Sequence, residues 1–182
     1  MVAHRQRGLS LVELLVGLVV LSVLVSVAAP SFSRMVAEQR LRQVGSELRI
    51  SLATARSEAV KRNEAVSLIK QGSDWSTGWC IEAGSAATSC TAQPIQQFNV
   101  ASDQISVLKD GTAAGTKVKF NAWGRVTSCP EFLLTTTAAG SACTLCLVVT
   151  TDGRVESHTG SCPEADACST EGSDMSWAGA CS

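Results

Sequence analysis

The chain has 182 residues, of which 45% are hydrophobic and 17% are charged, and its formal net charge is −1. This length predicts one globular domain besides any anchor. The first predicted element is an apolar run over residues 9–29, behind a leader (residues 1–8) that carries Arg5 and Arg7. Without these two arginines, 13 basic and 16 acidic side chains give a charge of −3, which excludes a global attraction to nucleic acid.

The apolar run is long enough to cross about 30 Å of hydrocarbon as a helix, yet it contains one carboxylate, Glu13. A charge in such a run is costly, so it is a functional hypothesis by default. A plain transmembrane anchor, with the basic leader left in the cytoplasm, explains the run but neither Glu13 nor Gly8. A secretory signal peptide would be cleaved after Val27-Ala28-Ala29. Pro30 follows directly, however, and such peptides normally have an uncharged core.

The start of the run reads Gly8-Leu9-Ser10-Leu11-Val12-Glu13. It resembles the processing signature of type IV prepilins and pseudopilins. The resemblance implies that a prepilin peptidase cleaves between Gly8 and Leu9, and that Leu9, where the family usually has Phe, is then N-methylated. It also implies that Glu13 meets the positive amino terminus of a neighbouring subunit. Such a pair would select the register of assembly, because opposite charges attract strongly at low dielectric.

The helical pattern resumes after Pro30, which removes a backbone donor and kinks a helix. A proline at this offset resembles the type IV pilin helix, where it marks a kink or a melted segment. Apolar residues at steps of three or four predict an amphipathic helix over residues 30–63. These apolar positions are Leu41, Val44, Leu48, Leu52, Ala55 and Ala59.

Charged residues follow the same helical pattern. Glu38 with Arg42, and Glu58 with Arg62, have the spacing of favourable ion pairs. Arg42, Arg49 and Arg56 recur every seven residues. We favour a solvated face for these three arginines. The alternative is a row of contacts to neighbouring subunits.

Residues 64–161 predict a small antiparallel sheet with long loops, such as those over residues 110–116 and 135–141. The predicted strands cover residues 65–70, 78–83, 94–100, 105–108, 117–120 and 144–150. The apolar stripe of the helix needs a partner, and the sheet face is available. The predicted fold class is therefore α+β, with a long N-terminal helix packed on a small antiparallel β-sheet domain, the type IV pilin fold.

Eight cysteines follow the helix, and an even number in an exported domain predicts disulfides of unknown connectivity. We favour Cys80 with Cys90, and Cys168 with Cys181 in the extension over residues 162–182, because each pair closes a short polar loop. Cys143 and Cys146 could form a redox or zinc motif, but alternation along a strand would place them on opposite faces. No metal site, cofactor or catalytic arrangement is predicted, so the chain is not expected to be an enzyme.

The segment Leu52-Ala53-Thr54-Ala55-Arg56-Ser57-Glu58-Ala59-Val60-Lys61-Arg62-Asn63 resembles the "LARSEAIKRN" stretch of the GspH/FimT group of minor pilins and pseudopilins. The resemblance implies a minor type IV pilin, a non-catalytic subunit that primes assembly of the pilus or caps it. The alternative is a minor pseudopilin of a type II secretion system. Implied partners are the prepilin peptidase and other pilins. The implied location is the bacterial inner membrane, with a periplasmic domain, and then the filament.

A third alternative is a DNA-binding uptake pilin, because some FimT-like proteins carry a Gly-Arg-x-Arg motif. Here the matching residues are Gly153, Arg154, Val155 and Glu156, so a carboxylate replaces the second arginine. From residue 120 onward two basic residues stand against seven acidic ones. This charge of −5 repels phosphate groups, so DNA is not an expected partner.

Overall fold

The computed structural model describes residues 10–91, 93–100, 104–110, 115–138, 141–160 and 162, with residues 27–31, 138 and 141 described by their backbone alone. Within these residues one helix precedes eight strands. Helix α1 spans Leu11–Arg62. The strands are β1 (Val66–Lys70), β2 (Gly78–Ala83), β3 (Gln96–Asn99), β4 (Ile105–Lys109), β5 (Lys117–Phe120), β6 (Glu131–Ala138), β7 (Ser141–Val149) and β8 (Val155–Thr159).

Helix α1 has 52 residues, which corresponds to about 78 Å at 1.5 Å per residue. It is continuous through position 30, so the structure contains no melted segment at Pro30, and a kink there stays a prediction. The helix ends where Asn63 adopts the left-handed conformation with φ 53°, which exposes the last carbonyls to capping by backbone N–H groups. Lys61 and Arg62 lie in the last turn, where positive charge is favourable.

The strands form two antiparallel sheets with the orders β3-β2-β1-β5 and β4-β6-β7-β8. The prediction of a single small sheet is therefore incomplete. Strands β1, β2, β3, β4, β5 and β7 correspond to predicted strands, whereas β6 and β8 were not predicted. The predicted loop over residues 135–141 is wrong for the described part of this range, because residues 135–138 belong to the end of β6 and residue 141 begins β7.

The predicted apolar stripe of α1 is confirmed, because all six of its residues are buried. They pack against both sheets together with the aromatic side chains of Trp75, Trp79 and Phe132. Trp75 meets Phe132 edge to face, with ring centroids 5.0 Å apart. Trp79 stacks on Phe98 at 4.8 Å. The helix, the first sheet and the second sheet therefore share one core. Burial of its large aromatic groups contributes strongly to stability.

One disulfide is attached to an inner strand of each sheet. Cys80 on β2 is bonded to Cys90, the pairing favoured by the sequence. Cys146 on β7 is bonded to Cys162, which attaches the chain beyond β8 to the second sheet. Cys129 and Cys143 are disulfide-bonded as well. The suggested pairing of Cys168 with Cys181 lies outside the described residues.

Candidate functional site

The first half of α1 extends beyond the β-strands with its apolar side chains exposed. Every large apolar side chain described between residues 11 and 25 is more than half exposed. These residues are Leu11, Val12, Leu14, Leu15, Val16, Leu18, Val19, Val20, Leu21, Val23, Leu24 and Val25. An exposed apolar surface of this extent marks an interaction with other proteins or with a membrane. In the described part of the chain, no helix is both long and apolar enough for a membrane crossing.

Glu13 lies in the first turn of this exposed segment. Ser10 and Glu13 have the spacing of a capping box, yet the side chain of Ser10 makes no cap hydrogen bond. The amino end of a helix attracts negative charge, so the ionised carboxylate of Glu13 is stabilised at this position. Its side chain is exposed and accessible to a partner. Gly8 and Leu9, the predicted processing residues, lie outside the described residues.

A basic cleft of about 780 Å³ lies at the other end of α1, beside the turn that precedes β8. Its cationic residues are Arg49, Arg56 and Lys61 from the helix and Arg154 from the turn. Ala53 and Val60 provide apolar surface between them. From the sequence, Arg49 and Arg56 were expected on a solvated face, and Arg154 was considered only as part of a DNA-associated motif. The fold brings all three to one cleft.

Glycines in two turns allow the turn of Arg154 to lie close to helix α1. Gly124 and Gly153 both have positive φ, 71° and 81°, and both pack against the side chain of Arg56. A Cβ atom on Gly153 would lie 2.2 Å from the carbonyl oxygen of Gly124, so a larger residue would force the turns apart. Trp123, beside Gly124, is 78% exposed. The glycines therefore hold the turn of Arg154 close to the helix.

Arg154 has a carboxylate partner in its own turn. Its Nε lies 3.3 Å from Oδ2 of Asp152, and both side chains are largely exposed. A hydrogen bond from the Thr150 hydroxyl to Asp152 Oδ1, 2.8 Å long, holds the pKa of Asp152 below its usual value. The nearby charges of Arg154 and Arg56 lower this pKa further. The pKa of Asp152 is thus lowered mainly by the hydrogen bond from Thr150, and the two arginines make the smaller contribution.

The two favourable ion pairs predicted along α1 are confirmed. Arg42 pairs with Glu38, and Arg62 Nε lies 2.7 Å from Glu58 Oε2. Lys61 also contacts Glu58, at 3.3 Å. The pair of Arg42 with Glu38 is part-buried, and those of Glu58 are exposed, where ion pairs contribute little to stability.

Cys143 and Cys146 do not form a shared motif. Both are buried, but Cys143 belongs to the core beneath α1 and Cys146 is bonded to Cys162. Alternation along β7 separates their side chains. Within the residues that the structure describes, no group of three potential ligands could hold a metal ion.

Comparisons with known proteins agree with this architecture. Residues 45–153 match the family of the type II transport protein GspH, and residues 3–29 match the prokaryotic N-terminal methylation motif. The type IV minor pilin FimU of Pseudomonas aeruginosa (strain PAO1) has a similar crystal structure in space group P21. Its TM-score is 0.56 at 22% identity, over 72% of this chain and 96% of FimU. The P65 crystal form gives 0.53 and 22%, over 70% and 99%. No curated protein sequence matches the chain.

A methylation motif at the start of a long helix, with antiparallel sheets packed on its second half, defines the class of minor type IV pilins and pseudopilins. These proteins are structural subunits of filaments. The GspH match covers more than half of the sequence. The chain belongs to the GspH family. The expected fold, a long N-terminal helix on antiparallel β-structure, is confirmed.

Proposed function

We propose that the chain is a minor pilin without catalytic activity that primes assembly of a type IV pilus or caps it. The observation that carries this proposal is the exposed apolar first half of α1 on a folded β-structure. A helix of this kind needs lipid or other helices around it. Packing beside the helices of neighbouring pilins would bury the same side chains that lipid covers before assembly.

The proposed sequence of events begins in the bacterial inner membrane. Residues 9–29 anchor the subunit there as a single span, with the basic leader in the cytoplasm and the β-structure in the periplasm. Prepilin peptidase cleaves between Gly8 and Leu9, and Leu9 is methylated. Cleavage removes Arg5 and Arg7, whose charges would oppose extraction of the helix from the bilayer.

Glu13 sets the register in this mechanism. Unpaired in hydrocarbon, a carboxylate costs about 2.5 kcal/mol or more. A neighbouring subunit whose positive amino terminus lies beside Glu13 relieves this cost, and a subunit in another register does not. The position of Glu13 in the first helical turn, with its side chain exposed, supports this role. Pro30 would adjust the path of the helix between the membrane segment and the β-structure.

A second candidate is a minor pseudopilin of a type II secretion system. The description of the matching family favours it, and the physics of the helix is the same in both. The phenotype of a deletion separates the two candidates: a minor pilin loses pili and twitching, whereas a pseudopilin retains its secretory substrates in the periplasm. DNA is not a proposed partner, because Arg154 faces Asp152 and Glu156 replaces the second basic residue of the DNA-associated motif.

Replacement of Glu13 by alanine tests the register mechanism. Glu13→Ala should still be inserted and cleaved, but its recovery in sheared filaments should fall about tenfold or more, as the loss of at least about 1.4 kcal/mol requires. Ser22→Ala is the matched control, because Ser22 is exposed on the same helix and its hydroxyl bonds only to the carbonyl of Val19. Equal recovery of Glu13→Ala and Ser22→Ala would contradict the register role.

A further inference from the structure

A cavity of about 450 Å³ lies between helix α1 and the end of the second sheet where β4 begins. Phe32, Val36 and Arg40 line it from the helix. Gln104, directly before β4, and Thr137, near the end of β6, line it from the sheet. These positions on α1 precede those of the basic cleft, so the cavity lies at the end of the β-structure nearest the exposed apolar half of the helix.

The cavity lies close to the membrane in the proposed first stage, where residues 9–29 span the bilayer, and the inference about it rests on that stage. At 1.5 Å per residue, Phe32 is then about 4–5 Å beyond the hydrocarbon and Arg40 about 16 Å beyond it. The headgroup region is about 5–8 Å thick on each side. Side chains of a helix lean toward its amino end, which for Arg40 is the direction of the bilayer. The cavity therefore extends outward from the headgroup region.

The lining changes from apolar to cationic with distance from the membrane. Phe32, which is 68% exposed, and Val36 line the end nearer the bilayer, and Arg40 lines the other end. Among the described residues Arg40 has no carboxylate partner, and Glu38, the nearest acid in the sequence, is paired with Arg42. A guanidinium group binds a phosphate through two parallel N–H groups. The order of apolar and cationic groups thus matches a phospholipid.

We propose that this cavity holds the headgroup of an anionic phospholipid from the outer leaflet of the membrane before the subunit is assembled. The phosphate contacts the guanidinium of Arg40, and the hydroxyl of Thr137 and the amide of Gln104 are further donors. The glycerol and the first acyl carbons cover Phe32 and Val36. No carboxylate in the described lining could receive the ammonium group of a zwitterionic lipid, so an anionic headgroup fits better.

This contact exists only while the subunit is in the bilayer. Phe32, Val36 and Arg40 lie on one face of the helix because they are four residues apart. A lipid bound to that face fixes the rotation of α1 about its own axis. Extraction into a filament breaks the contact. The lipid therefore determines which face of the helix the stored subunit presents to its neighbours before assembly.

Photo-cross-linking of the full chain in lipid vesicles tests the proposal. The chain is reconstituted into phosphatidylcholine vesicles that contain a trace of phosphatidylglycerol with a photoreactive headgroup. Flotation of the vesicles in a density gradient first shows that the chain is anchored. After illumination, mass spectrometry measures the yield of the lipid link to the segment that contains Thr137. Arg34→Gln is the matched control, because Arg34 is exposed on the same helix but does not line the cavity.

We expect Arg40→Gln to lower this yield about tenfold, the effect of one hydrogen-bonded contact to a charged group. Arg34→Gln should lower it at most about fivefold, through the general attraction of an arginine for an anionic lipid. Photoreactive phosphatidylcholine should give a yield as low as that of Arg40→Gln.

Two results would overturn the inference while the chain still floats with the vesicles, which leaves the anchored stage intact. One is an equal effect of Arg40→Gln and Arg34→Gln, because surface charge rather than the cavity would then attract the lipid. The other is equal labelling by the two photoreactive lipids. A chain that did not float would contradict the anchored stage, and the lipid contact with it.

Discussion

The indole N–H of Trp79 on β2 donates a hydrogen bond to the hydroxyl of Ser51 on α1 over 2.9 Å, and both residues are buried. This contact joins the first sheet to the centre of the apolar stripe of the helix. A buried indole N–H needs an acceptor, because an unmade hydrogen bond in the interior costs free energy. Ser51 thus provides a hydrogen-bond acceptor that the apolar period of the helix does not predict.

Replacement of Ser51 by alanine should lower the free energy of unfolding by about 1–3 kcal/mol, because it leaves the N–H of Trp79 without an acceptor. Denaturant unfolding, followed by tryptophan fluorescence, measures the change. Ser57→Ala is the control, since Ser57 is exposed and bonds only to the carbonyl of Thr54. Equal stability of the two variants would contradict the importance of the buried contact.

The loop between Cys80 and Cys90 should depend on its disulfide. The loop has a sequence separation of 10, and a cross-link of this span stabilises the folded state by about 2–3 kcal/mol in the chain-entropy description. The double variant Cys80→Ala, Cys90→Ala should lower the unfolding midpoint in denaturant accordingly. Ser89→Ala in the same loop should have little effect. An unchanged midpoint in the double variant would show that other contacts hold the loop.

Hydrogen bonds to Glu82 also hold this loop, so the stability lost with the disulfide indicates how much the disulfide contributes by itself. Glu82 on β2 is buried and accepts hydrogen bonds from the backbone N–H of Thr91, at 2.6 Å, and from its hydroxyl. Thr91 directly follows Cys90, so the disulfide and the carboxylate hold neighbouring points of the loop. A loss smaller than about 2 kcal/mol would indicate that Glu82 retains part of the loop structure without the disulfide.

Glu131 should make stability depend on pH. Burial raises the pKa of Glu131, and the carboxylate of Asp110 raises it further. The folded state therefore binds this proton more tightly than the unfolded chain does. As pH rises from the pKa of Glu131 in the unfolded chain through its pKa in the folded state, ionisation of this carboxyl group destabilises the fold. The loss in free energy of unfolding is complete above the folded-state pKa. Glu131→Gln should raise the melting temperature at neutral pH.

The gain in melting temperature should disappear as pH falls through the titration range of Glu131, because the wild-type side chain then becomes neutral. Glu64→Gln at an exposed position is the matched change of charge. Melting curves of both variants between pH 3 and pH 8 measure the difference. A gain from Glu131→Gln that persisted at low pH, or one equal to that of Glu64→Gln, would contradict this assignment.

The sequence predicted the helix and its packing well because a period of 3.6 residues reports burial directly. Leu41, Leu48 and Leu52 are all fully buried as expected. β6 was not predicted because three consecutive threonines, Thr135 to Thr137, resemble a linker in composition. In the structure Phe132 and Leu134 are buried, and β7 supplies the hydrogen-bonding partner. That partner, rather than local composition, makes this segment a strand.

β8 and the basic cleft were missed for a related reason. β8 is a half-buried edge strand whose polar residues show no clear alternation, and edge strands tolerate such sequences. Arg49 and Arg154 are more than 100 residues apart in the sequence. Their meeting depends on the close approach of the turns at Gly124 and Gly153. A tally of charges along the chain contains no information about that approach.

The mass of the amino-terminal peptide, measured on native protein from the membrane fraction and from sheared filaments, tests the central claim most directly. We expect the mature chain to begin at Leu9 and to carry one N-methyl group, because cleavage follows Gly8. Gly8→Ala should accumulate as the longer precursor. A native chain that begins at Met1 or at Pro30 would contradict processing as a prepilin, and with it the release of the helix from the membrane into a filament.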